Sequence, residues 1–237
     1  MKIDKMSLEV LQNFININKG LYIPQGNLIT TIKDGNKLIA QYKSDMYIDK
    51  AISIFDATTL IKGINGILNY DSEKDTHKIT LHDESMIVST DIGAIEFQYQ
   101  NPEFVINGNP VNKYSEVLTN DKQPELIASF VLTSDNIKRI LTASSLTNSD
   151  KFRIDSKGIH IGGGKNSSAH TTLRVDFGDN VPDFSVEYLI DNFKLIGGDY
   201  NVEVRTGNNK VFSPLFMRHA TLDLIYIIVN VNDIQGR

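Results

Sequence analysis

The side chains with the most chemistry to offer are five histidines, His77, His82, His160, His170 and His219, and a run of carboxylates at Asp71, Glu73 and Asp75. A zinc site needs closely spaced ligands, as in His-Glu-x-x-His, and none of these histidines forms such a pair. Each reads as a surface or strand residue. Asp71, Glu73 and Asp75 alternate like the opening of a calcium loop. Thr76, however, stands where that loop needs glycine, and His82 where it needs the closing glutamate. The segment reads as a solvated turn. Gly162-Gly163-Gly164-Lys165 has some likeness to a phosphate-cradling loop, but that pattern needs glycine at Ile159 and Ser or Thr at Asn166, and no helix follows. It reads as a hairpin tip that offers Lys165 to a ligand at most. There is no Gly-x-Ser-x-Gly, and the absence of cysteine excludes thiolate metal sites and cysteine nucleophiles. No catalytic residue, metal site or cofactor is expected.

A chain of 237 residues can bury one large core or two of roughly 110–120 residues each. Apolar residues make up 41% and charged residues 22%, ordinary globular values. The formal charge of -5, from 24 basic and 29 acidic residues, does not mark a strong nucleic-acid binder, although a local basic surface can coexist with it. The start, Met1-Lys2-Ile3-Asp4-Lys5, has no apolar run behind it and does not read as a signal peptide. No stretch approaches the ~18–20 apolar residues of a membrane helix, so no membrane partner is expected. Leu222 to Val231 comes nearest, carries Asp223 and Asn230, and reads as a buried strand.

Apolar spacing predicts a helix over Ser7 to Ile17, with Ser7 as its cap and Glu9, Gln12, Asn13 and Asn16 on its polar side. A hairpin follows, Leu21 to Ile23 with Leu28 to Ile32, and then a strand from Lys37 to Tyr42. Asp56 caps a second helix, Ala57 to Leu68. Strands are expected at Lys78–His82, Ser85–Thr90 and Ala94–Gln98. The polar, proline-containing stretch Asn101 to Gln123 is the linker candidate. Beyond it the order begins again: a strand Leu126–Leu132, a helix capped by Ser134 and running to about Leu146, strands at Phe152–Asp155, Gly158–Gly162 and Thr171–Phe177, a helix from about Val186 to Ile196, and strands at Tyr200–Thr206, Val211–Phe216 and Leu222–Val231. The second helices of the two halves share one spacing, Phe55, Leu60, Ile61, Ile64, Ile67 against Phe184, Leu189, Ile190, Phe193, Ile196. This is a duplication. Its class is α+β, two tandem similar domains with two helices each on antiparallel sheet. The expected division is residues 1–112, a linker at 113–125, and residues 126–237.

Scattered residues across the whole chain resemble the sliding clamps of T-even-type phages. They are Met1-Lys2, Lys5, Leu11, Asn13-Phe14, Ile17-Asn18 and Gly20; then Ser53-Ile54-Phe55-Asp56 with Leu60 and Gly63-Ile64; then Ile190-Asp191-Asn192, Gly198-Asp199-Tyr200 and His219-Ala220. The stretch from Tyr70 to Gln123 matches weakly. The resemblance implies the DNA-clamp fold, assembled as a homotrimeric ring whose twelve helices line a central hole around duplex DNA. It implies a processivity factor without catalysis, whose partners are further copies of itself, a DNA polymerase and an ATP-dependent clamp loader, in the cytoplasm of an infected bacterium.

Such a ring needs sequence-independent attraction to phosphate, which comes from Lys and Arg on the helices. The resemblance therefore singles out Lys5, Lys62, Lys138, Arg139 and Lys194, with Lys138 and Arg139 the strongest part of a weakly basic lumen. The first helix is poor in cations, and Gln12 stands where the family tends to place lysine. A partner's short apolar peptide would seat against Val111, Val117 and Leu118 of the linker and against Ile227, Val229 and Val231. The strand Ala94–Gln98 and the far edge of the second domain would meet between subunits. The strand-rich pattern alone also allows a phage tail or baseplate protein, or an α+β enzyme working through carboxylates.

Overall fold

The computed structural model describes residues 1–33, 35, 37–105, 124–162, 169–178, 181–206 and 213–231. The chain divides into two units, Met1–Asp34 with Ala40–Thr119, and Gly35–Ile39 with Asn120–Arg237. The expected linker at 113–125 lies outside the described residues except for Pro124 and Glu125.

In the first unit, helix α1 spans Lys5–Ile17. It starts earlier than the apolar pattern predicts, because Asp4 is the cap: its carboxylate accepts from the Ser7 amide at 2.8 Å, satisfying one free donor of the first turn. Ser7 is instead buried, its hydroxyl 2.9 Å from that of Ser44. Val10, Leu11, Phe14 and Ile17 form the buried stripe. Strands β1 (Leu21–Ile23), β2 (Gly26–Ile32), β3 (Leu38–Ile48) and β4 (Ile52–Ile54) follow. β1 was expected in a hairpin with the next strand, yet its registered antiparallel partner is β4, with Leu21 opposite Ile54. β2 lies beside β3.

Helix α2 (Ala57–Lys62) is capped by Asp56, which accepts from the Thr58 amide at 3.1 Å, and it continues as a wider π turn over Gly63–Ile67. Gly63 has a packing reason. A Cβ there would stand 3.2 Å from the Phe97 ring and 3.4 Å from Ile95. Two members of the predicted stripe do not join the core, since Phe55 is 63% exposed and Ile67 66%. Strands β5 (Lys78–Leu81), β6 (Ser85–Thr90) and β7 (Gly93–Gln98) form an antiparallel sheet. Met1 lies beside β5, its carbonyl accepting from Ile79 at 2.7 Å. A short helix α3 (Pro102–Val105) closes the described part of the unit.

His77 is neither a surface nor a strand residue. It is fully buried in the turn before β5, where Nδ1 accepts from the Asp71 amide at 2.7 Å and Nε2 stands 2.9 Å from an Asp91 oxygen. The Asp71 contact requires a bare Nδ1, so the proton sits on Nε2 and points at Asp91. That bond, with Lys74 nearby, holds the Asp91 carboxyl below its ordinary value.

The second unit repeats the plan. Strand β8 (Glu125–Leu132) leads into helix α4 (Ser134–Thr147). Thr133, not Ser134, is the cap, accepting from the Asn136 amide at 3.2 Å. Strands β9 (Lys151–Asp155), β10 (Gly158–Gly162), β11 (His170–Leu173) and β12 (Ser185–Leu189) make a sheet in the order β11-β10-β9-β12. Strands β13 (Tyr200–Thr206), β14 (Leu215–His219) and β15 (Leu224–Ile228) run antiparallel in the order β15-β14-β13-β8. The Val229 amide donates to the Lys37 carbonyl at 3.0 Å. The hairpin tip with Lys165 and the tail after Val231 lie outside the described residues.

The helix expected over Val186 to Ile196 is not there. β12 occupies its first part, and only a three-residue 3-10 turn, Ile190–Asn192, follows. Val186, Tyr188, Leu189, Ile190, Phe193 and Ile196 fit a helical stripe, but Val186 and Tyr188 also alternate with exposed Glu187. Pairing decides the outcome. Val186 faces Ile154 and Tyr188 faces Phe152 across the β9–β12 ladder, and β-branched and aromatic side chains suit a pleated surface. Phe152 stacks on Tyr188 at 5.4 Å and meets Phe193 edge-on at 5.2 Å. Complete burial drives the Tyr188 phenol far above its ordinary value, so it stays neutral and donates to the Ser213 carbonyl at 3.0 Å.

Candidate nucleic-acid interface and partner cleft

Helix α4 exposes Asp135, Lys138, Arg139, Thr142, Ser145 and Leu146. Lys138 Nζ is 3.6 Å from an Asp135 oxygen one turn earlier. This pair is fully solvated and weak, so Lys138 can turn to another anion. Arg139 is exposed and has no ion pair among the described residues. In the first unit, Lys5 opens α1 and Lys62 ends α2, and these two helices pack on each other. Both lysines are exposed. The rest of the outward face of α1 is Glu9, Gln12 and Asn16, which offers no further cation. Lys194 does not ride on a helix. It follows the 3-10 turn, half-buried, 3.7 Å from Asp191. The structure thus brings Lys138 and Arg139 together on one regular helix, with Lys5 and Lys62 as a sparser pair in the first unit.

A cleft of ≈ 360 Å³ opens within the second unit. Its apolar wall is Leu126, Ile127, Pro182, Phe184 and Val186, and Thr206, Ser213 and Asn230 add polar groups. Each wall is braced. Phe184 meets Phe177 edge-on at 5.9 Å, and Phe177 meets Phe130 at 5.1 Å. Arg205 stands opposite Leu126 in the β8–β13 ladder. Its Nε donates to Glu203 at 2.8 Å, its Nη1 to the Pro124 carbonyl at 2.8 Å, and its guanidinium lies 5.6 Å from the Phe216 ring centre. That clasp fixes the start of β8. Asn230 Oδ1 accepts from the buried Ser213 amide at 3.0 Å, tying the residues just after β15 to those just before β14.

Of the expected pocket residues, Ile227 and Val231 are buried and Val229 is half-buried, and none of them lines the cleft. Within the stretch Ile227 to Val231 only Asn230 does. Val111, Val117 and Leu118 lie outside the described residues. The sequence reading missed Leu126, which is 49% exposed, and assigned Phe184 and Val186 to a helix. The usable signal was Pro182-Asp183 just before an aromatic residue, an irregular stretch that ends where β12 begins.

No protein-family model matches the chain. It is 25% identical over 227 residues to the sliding clamp of Vibrio phage KVP40, covering 92% of this chain and 97% of that protein. Among solved structures, proliferating cellular nuclear antigen from Entamoeba histolytica superposes with a TM-score of 0.63 at 11% identity, over 94% of each chain. The Caulobacter crescentus polymerase III β subunit gives 0.68 at 12% identity over 98% of this chain and 65% of that one. The Helicobacter pylori β clamp bound to a DNA ligase peptide gives 0.65 at 12% identity, over 97% and 64%. The chain therefore spans about two thirds of the bacterial subunits and nearly all of the other two proteins. No described helix is long and apolar enough to cross a membrane.

Proposed function

We propose that this chain, a sliding clamp by its fold and by its similarity to the phage protein, closes with two further copies of itself into a ring around duplex DNA and there tethers a DNA polymerase. The observation that carries the reading is that each unit offers an open sheet edge. β7 pairs only with β6 and β11 only with β10 among the described residues. An edge strand presents free N–H and C=O groups that another chain can pair with. Two different edges meeting head to tail generate a closed ring when the rotation closes. Two units per chain and three chains supply the six repeats of a pseudo-sixfold ring.

The mechanism is topological. The helices offer phosphate attraction through Lys138 and Arg139, supported by Lys5 and Lys62, and Lys194 adds a cation from beyond its short turn, all without base contacts. Such attraction is independent of sequence and weakens with salt. Weak contact lets the ring move along DNA while closure keeps it on. The cleft in the second unit is the place where a polymerase or another partner docks a short segment. The ring catalyses nothing, and an ATP-dependent loader in the host cytoplasm opens and places it.

The test is retention on DNA of defined topology. Loaded onto nicked circular duplex, the protein stays bound in salt that dissolves simple electrostatic complexes, and it is released when the circle is cut. Release from the intact circle at the same salt contradicts encirclement.

A further inference from the structure

The edge strand β11 is only four residues long, yet three features fasten it to β10. Two are glycines. Gly158 and Gly162 bound β10 with φ of +143° and +112°, values that L side chains rarely adopt. A Cβ at Gly158 would collide with the Leu173 carbonyl oxygen, and one at Gly162 with that of Ala169, so only glycine lets the strands close at both ends. The third feature lies midway. His160 stands opposite Thr172 in the ladder, and its Nδ1 is 3.0 Å from the Thr172 hydroxyl. Its Nε2 is 2.8 Å from an Asp155 oxygen. An ionised carboxylate only accepts, so Nε2 carries the proton and, in the neutral ring, Nδ1 accepts from Thr172. Asp155 is itself held, by the Lys157 amide at 2.8 Å and by Arg153 at 3.3 Å. Thr172, His160, Arg153 and Glu187 form one polar rung in register across all four strands.

We propose that His160 is a positioning residue for ring closure, holding β11 ready as the edge with which a second copy of the chain pairs. The proposal rests on the reading of β11 as a ring edge and adds the group that prepares it. A short strand bonded on one side only opens easily unless its side chains are tied. Each opening must be reversed before a partner strand can pair, and that ordering cost is subtracted from association. The bond between His160 and Thr172 removes part of it in advance. It lies on the sheet face opposite the buried Ile159 and Ile161, so it leaves the N–H and C=O groups of the free edge unused. His160 acts through β11.

The test pairs hydrogen exchange of the β11 amides in the dilute chain with the rate at which labelled and unlabelled trimers exchange subunits. Thr172→Val keeps the β-branched shape and loses the hydroxyl, whereas Thr172→Ser keeps the hydroxyl and gives up the branch. Thr172→Val and His160→Ala each speed both kinds of exchange by about three- to tenfold, the factor that one net hydrogen bond supplies. Combining them adds no further loss, and Thr172→Ser stays near the parent. Exchange at β11 that is unchanged in Thr172→Val, or that rises without faster subunit exchange, overturns the proposal and leaves the ring standing. The reverse ranking, with the valine variant like the parent and the serine variant faster, makes strand propensity the cause and overturns it too. A parent chain that forms no trimers overturns the ring reading and the proposal with it.

Discussion

The two units share a plan and differ in how they carry it out. Each runs from an extended segment into a long helix, then four strands, a short helical passage and three strands. In the first unit the short passage is α2 with its π turn, capped by Asp56 and packed through Gly63 against Phe97 and Ile95. In the second it is a three-residue turn without a side-chain cap, because β12 and its partner β9 have claimed the preceding residues. The outer faces diverge as well. α1 offers Glu9, Gln12 and Asn16 where α4 offers Lys138 and Arg139, and the apolar cleft lies in the second unit. The duplicated core fixes the strand order, while the exposed faces differ in charge.

The largest difference to probe is in the cores. Phe152→Ala removes the ring that joins Tyr188 and Phe193, at a position 2% exposed. A cavity of that size costs about 3–5 kcal/mol. Thermal unfolding followed by hydrogen exchange will show amides of the second unit opening first, whereas Phe14→Ala in α1 opens the first unit.

Next come the helices. Lys138→Glu with Arg139→Glu lowers polymerase stimulation on primed circular DNA by about tenfold at low salt, because phosphate contacts dominate such affinity. Lys5→Glu with Lys62→Glu lowers it by only about two- to threefold. Equal losses would break the claim that the second unit carries the stronger DNA face.

Smaller still is the effect of the cap. Asp56→Ala lowers the melting temperature by about 2–4 °C, whereas the second unit has no corresponding side-chain cap to lose at Ile190–Asn192.

The smallest effect disappears in acid. Asp91 is held below its ordinary 3.8, first by the hydrogen bond from His77 and further by Lys74. A depressed carboxyl contributes stability that is complete above its unfolded value and fades as pH falls through the folded one. Below about pH 4, Asp91→Asn and the parent chain therefore converge in stability, and above it the parent is the more stable. A constant difference across pH 2–7 contradicts the His77 clasp.

Much of the fold was legible because one period dominated locally. Val10, Leu11 and Phe14 could only be a helix face, and β9 and β10 alternate cleanly. Where two periods fit the same residues, as from Val186 to Ile196, the partner strand decided, and that partner is distant in sequence. The caps misled for a related reason: Asp4 and Thr133 precede the apolar pattern that locates a helix. Of the site, the cations of α4 could be read as soon as the helix was placed. The cleft could not, since Leu126, Phe184 and Asn230 come from three separate strand ends that only the folded sheets bring together.

The central claim is a closed ring of three chains, and the most direct measurement is the mass in solution by light scattering across micromolar concentrations. The account predicts a species of three times 26.6 kDa, lost when a proline is placed in β7 at Ile95. A monomer at every concentration would contradict it.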